Sequence, residues 1–142
     1  MTASLAAACA LLSGCTVIDV AHLAGDDTAG RNNDTAGSAA ARAYLIDQLR
    51  PIAQGLNRSG TGDAAYTQAF SGGTNVVAVI PGTDLADEYV VVGAHYAGLG
   101  GSCARSIPED RICNGATDNA TGVAGALAIA RSSPASGRGG RS

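Results

Sequence analysis

Along the chain the spacing of apolar positions changes several times, and each change predicts an element. From Ser38 the stretch SAAARAYLIDQLRPI places Ala41, Leu45, Ile46 and Leu49 at helical spacing, with Arg42, Asp47 and Arg50 elsewhere. That pattern predicts an amphipathic helix, stopped at Pro51, which has no N–H and whose ring clashes with the preceding turn. Between Ala65 and Phe70 the period becomes two, with Tyr66, Gln68 and Phe70 on one face of a predicted strand that Gly72-Gly73 ends. Asn75 to Ile80 predicts a second strand, broken by Pro81-Gly82, and Tyr89 to Ala94 a third. The connection PGTDLADE is too short for a parallel crossover, so the second and third strands are expected to pair antiparallel. Val90 to Val92 is a β-branched run suited to burial on both faces, which would deliver His95 at the strand's carboxyl end. After Asn119 helical spacing returns with Val123, Ala124, Leu127 and Ala130, and Asp118 or Asn119 is suited to cap the first turn.

The flanks read differently. Residues 16–35 are rich in Gly, Asp, Asn and Thr without a sustained period, which predicts a tether or surface loop and makes His22 a solvated side chain. Residues 132–142 are low in complexity and are expected to be disordered. The folded unit is thus expected over 36–131, as a mixed α/β domain whose sheet is flanked by helices.

Composition limits the partners. The 142 residues carry a net charge of -3, and the nine basic residues are all Arg and scattered, so no basic patch points to nucleic acid. With one Phe and no Trp, the core has few large anchors. Residues 1–15, MTASLAAACALLSGC, hold an apolar run too short to span a bilayer. Its end, Leu12-Ser13-Gly14-Cys15, resembles a bacterial lipoprotein signal, although the basic residues such signals carry near the start are missing from Met1 to Ser4. This resemblance implies export, a lipid anchor on Cys15 as the only membrane attachment, and a periplasmic or cell-surface location, or secretion.

Chemistry is concentrated between Glu88 and Gly122. His95 follows the third predicted strand and Asp118 opens the last helix, so both can face one crevice. An imidazole and a carboxylate are ordinary zinc ligands, and they are equally a hydrogen-bonded His and a capping Asp. Cys103 and Cys113 flank a polar loop between the two. In an exported protein they could form a disulfide, closing a loop of about ten residues at a gain on the order of 3 kcal/mol in the chain-entropy account. Their spacing matches no compact zinc knuckle, which disfavours a metal site made with His95. Gly98 to Ser102, GLGGS, reads as a flexible lip of the crevice rather than a phosphate loop, because no helix opens there.

The words GAHYAGLG and NGATDNATGVAGALAIAR closely resemble the paired signatures GxHxD and GAxDNxSG of the bacterial leucyl aminopeptidase family of di-zinc exopeptidases, in metallopeptidase clan MH. The resemblance runs from about Thr35 to Arg131. It implies the amino-terminal part of a phosphorylase/hydrolase-like zinc exopeptidase fold, a peptide substrate, and two zinc ions with His95 as a terminal ligand and Asp118 as the bridging carboxylate. Two departures accompany it: Ala97 stands where the family has an Asp that orients the imidazole, and Thr117 stands where many members have Asp. The family's general-base Glu and later metal ligands have no counterpart, since no Asp, Glu or His follows Asp118. The resemblance therefore implies a truncated, exported zinc aminopeptidase that is inactive alone. Two other readings remain: a lipid-anchored, non-catalytic binding domain, and part of a glutaminyl-cyclase-like acyltransferase.

Overall fold

A computed structural model describes residues 14–85, 87–101 and 109–133. Three helices supply most of its core. The first, α1, occupies residues 14–23, and α2 spans Ala36–Leu49. Thr35 starts α2 by accepting a hydrogen bond from the Ser38 backbone N–H, satisfying one of the donors a helix leaves free at its start. Ala41, Leu45 and Ile46 are buried along it, as the spacing predicts. The last helix, α3, spans Thr121–Ser132 and buries Val123, Ala124 and Leu127. Leu23 of α1, Ala41 and Leu45 of α2, and Ala120, Val123 and Leu127 around α3 form one apolar cluster.

The fold is mixed α/β, with the strands in two small antiparallel ladders. Strands β2 (Thr67–Phe70) and β3 (Gly73–Val76) form a hairpin with Phe70 opposite Gly73. Its tight turn passes through Gly72 at φ +90°, a conformation that glycine adopts without strain. Strand β1 (Gln54–Gly55) pairs with β4 (Ala78–Val79). The single strand expected over Asn75–Ile80 is therefore split. Val77 lies at the break, where its N–H donates to the Tyr66 carbonyl (2.8 Å) and its own carbonyl accepts from Leu56. Tyr66 does not share a face with Gln68 and Phe70: it precedes β2, is buried, and donates its hydroxyl to the Ala53 carbonyl, while Gln68 and Phe70 are exposed.

Two expectations are corrected. Tyr89 to Ala94 forms no strand; Val90 and Val91 are 92% and 89% exposed, and no described strand pairs with them. An apolar run is buried in a sheet only where neighbouring strands accept its backbone hydrogen bonds, and both described ladders, β2–β3 and β1–β4, stop at two strands. The antiparallel pairing expected for it is instead made between β2 and β3.

The second correction concerns residues 16–35, which are folded rather than a tether. Asp19, Leu23, Thr28 and Arg31 are all buried, while His22 is exposed as expected, its ring stacked on Tyr44 with centroids 3.9 Å apart. Asp19 joins all three helices. It receives the Tyr44 hydroxyl of α2 at 2.6 Å and a forked ion pair from Arg131 of α3 at 2.5 and 3.0 Å, and Arg131 also donates to Gln48. Helical spacing missed α1 because only Leu23 is a fully buried apolar side chain of it, with Val20 partly buried against the cluster, and the other buried position of the helix is this carboxylate. Residues 1–13, 102–108 and 134–142, with most of the export segment, Cys103 and most of the tail, lie outside the described residues.

Candidate metal centre

His95 follows the extended segment after β4, and the residues on either side of it are anchored. Ala94 and Tyr96 pack against the core cluster, and the Tyr96 hydroxyl donates to the Thr74 carbonyl of β3 at 2.6 Å. Asp118 lies in the turn Ala116–Ala120 that precedes α3. Its backbone (φ -128°, ψ 84°) is not helical, the Asp118–Asn119 peptide is cis, and no side chain caps either the turn or α3. The expected capping role is therefore absent, and the carboxylate faces the imidazole instead.

His95 Nε2 and Asp118 Oδ1 lie 3.1 Å apart. The other ring nitrogen, Nδ1, is 3.1 Å from the Ala97 carbonyl. A carbonyl only accepts, so Nδ1 carries the hydrogen in this contact and the ring is oriented with Nε2 toward Asp118. A backbone oxygen thus takes the orienting position for which a carboxylate at residue 97 was missing. Asn119 adds a side-chain hydrogen bond to the His95 carbonyl at 3.4 Å. Both site side chains are open to solvent, His95 at 60% and Asp118 at 85%.

The pair stands at a cleft of about 640 Å³, within the range of small-ligand sites. Leu99 and Ile112 give it apolar lining and Asp110 a further carboxylate. Asp110 accepts from the Ile112 N–H, and among the described residues no three His, Cys, Asp or Glu side chains converge on one point. Two donors on one tetrahedral zinc lie about 3.4 Å apart given metal–ligand distances near 2.1 Å. The observed 3.1 Å is a direct imidazole–carboxylate contact, slightly shorter than the separation of two such corners.

Arg31, which no sequence pattern singled out, holds this region together. It is fully buried, and its guanidinium donates Nε to Tyr96 O (2.8 Å), Nη1 to Asn114 O (2.8 Å) and Leu23 O, and Nη2 to Gly115 O (3.0 Å). Burial pushes its pKa below the usual guanidinium value. All its partners are backbone carbonyls, which carry no mark in a sequence. The stretch Gly98 to Gly100 is correspondingly not a loose lip. Gly98 and Gly100 donate to the carbonyls of Arg31 and Gly30, and Cys113 donates to Gly100. Cys15 is a free thiol.

Residues 75–140 match the model of Peptidase family M28. The match takes in β4, His95, Asp118 and α3, while α1, α2 and Arg31 lie before it. It supports an M28 metallopeptidase-like region, a broader class than the leucyl aminopeptidases that the motifs resemble, and one that is generally zinc-dependent. No curated protein and no solved structure matches the chain.

Proposed function

We propose that the chain carries part of the zinc site of an exported M28-type aminopeptidase, with His95 and Asp118 as metal ligands. The observation that carries this reading is the 3.1 Å approach of Nε2 to Oδ1 inside the span that matches the family. Zinc held there would polarise a peptide carbonyl and acidify a bound water. The chain's own contributions are more limited. The Ala97 carbonyl orients His95, Leu99 and Ile112 offer an apolar wall to a substrate side chain, and the cleft is large enough to admit one end of a peptide.

No described carboxylate completes a three-donor site, so this chain alone should bind zinc weakly and turn over no peptide. The reading includes a Cys103–Cys113 disulfide restraining the loop between the ligands. It also includes export, with a lipid on Cys15, which stands free at the start of α1. Zinc titration of the purified chain tests the core of it. Wild type should bind, and His95→Ala and Asp118→Ala should each weaken binding at least about 10-fold. Unchanged affinity in both variants would reject the ligand assignment, and metal-dependent cleavage of an aminoacyl-naphthylamide would reject the inactivity.

A further inference from the structure

We propose that Arg31 is a positioning residue that sets the separation of His95 and Asp118 by clamping together the two loops that carry them. It rests on the zinc reading for its functional consequence, while the clamp is visible in the hydrogen bonds. Nε binds the carbonyl of Tyr96, the residue after His95, and Nη1 and Nη2 bind the carbonyls of Asn114 and Gly115, at the start of the turn that delivers Asp118. These partners are 65, 83 and 84 positions from Arg31, so one side chain from the start of the chain reaches both loops, which also touch each other through the Gly100–Cys113 backbone bridge.

A cation that merely filled the core would be expected to meet a carboxylate; here every acceptor is a main-chain oxygen, three of them in the two loops and the fourth that of Leu23 at the end of α1. The guanidinium suits this because its donors form a rigid planar fork pointing several ways, whereas an ammonium is a single point and cannot span both loops. The backbone is built to admit it. Gly30 and Arg31 adopt left-handed conformations at φ +70° and +55°. A Cβ on Gly98 would come within 2.5 Å of the Gly30 carbonyl, and one on Gly115 within 2.7 Å of Arg31 Nη2. Both loops therefore approach the segment around Arg31 through residues that have no side chain.

Two substitutions, Arg31→Lys and Arg31→Met, test the role against Arg131→Met, which removes a guanidinium that ties helices away from the cleft. The first readout is cobalt(II) affinity and visible spectrum. The second needs no metal: the change in the His95 imidazole ¹⁵N shift, at fixed pH, caused by Asp118→Asn. Both Arg31 variants should lose at least about 10-fold in cobalt affinity, the size of effect seen when an orienting partner is removed, and should no longer show the imidazole response. Arg131→Met should keep both despite lowering the melting temperature. A wild-type imidazole response in the Arg31 variants overturns the proposal. Should wild type bind no cobalt, the zinc reading fails, and the imidazole comparison still decides the role of Arg31. Should Arg31→Met fail to fold, Arg31→Lys, which retains the charge, provides the decisive comparison.

Discussion

Arg31 Nε donates to the carbonyl of Tyr96 at 2.8 Å, so a buried cation near the start of the chain fixes the residue that adjoins His95. The segment that looked like a tether therefore supplies the support of the candidate site, and the stability of that support can be separated experimentally from the chemistry.

The buried carboxylate of Asp19 should dominate the cohesion of the three helices. Only 1% of it is exposed, and it accepts from both Tyr44 and Arg131. Asp19→Ala leaves Arg131 without its counter-charge, and removing one partner of such a pair costs about 3–5 kcal/mol. Urea denaturation should show a loss of that size, with an unchanged slope if the unfolded state is unaffected.

Tyr44 should give the fold an alkaline limit. Burial first, and then the hydrogen bond to Asp19, raise its pKa above the ordinary 10.0. The folded state therefore holds this proton more tightly than the unfolded chain. Its stabilising effect is complete below about pH 10 and is lost as the pH rises from there toward the folded-state value. Arg131 is also raised above the ordinary guanidinium value, first through its hydrogen bond to Asp19, so its own loss begins only at higher pH than that of Tyr44. Tyr44→Phe should lower stability at neutral pH by roughly 1.5–3 kcal/mol, the range for a bond to a charged group, and should flatten the decline above pH 10. Denaturation midpoints collected from pH 8 to 11.5 provide the comparison.

Gly115→Ala should disturb the site and the fold together. Gly115 has φ +59°, and an added Cβ would meet the Asp118 carbonyl at 2.6 Å as well as the Arg31 guanidinium. Backbone strain of this kind costs about 1–3 kcal/mol. A matched fall in melting temperature and zinc affinity is expected; unchanged zinc binding would show that the turn tolerates the shift without moving Asp118.

Val91→Asp should leave stability within about 0.5 kcal/mol of wild type, the usual range for a solvent-facing site. Val123→Asp, at a position 5% exposed in the α3 core, should unfold the chain by burying an unpaired charge. A large loss at Val91 in denaturant titration would instead mean that the apolar run is covered in solution.

The two helices with apolar stripes were legible because their information is local. Repeated Ala, Leu, Ile and Val at helical spacing determine which faces of α2 and α3 turn inward, and Pro51 marks the end of α2, whereas its start at the Thr35 cap emerged only in the fold. The hairpin could be read only in part, since alternation marked β2 but its partner was set by the turn at Gly72 and by Val77 leaving the ladder. The residues His95 and Asp118 were legible as candidates through their neighbouring words, and their contact was not, because it depends on how a non-helical turn aims one carboxylate.

What the sequence determined by itself was residue chemistry and local period: two amphipathic helices, an imidazole, a carboxylate and the motifs around them. Tertiary structure alone decided that Val90 and Val91 are exposed, that Asp19 and Arg31 are buried, and that Ala97 serves His95 through its carbonyl. The physical reason is the same in each case. Burial of an apolar run needs neighbouring strands, and burial of a charge needs acceptors or a counter-charge, here backbone oxygens and distant side chains whose positions exist only once the chain has folded.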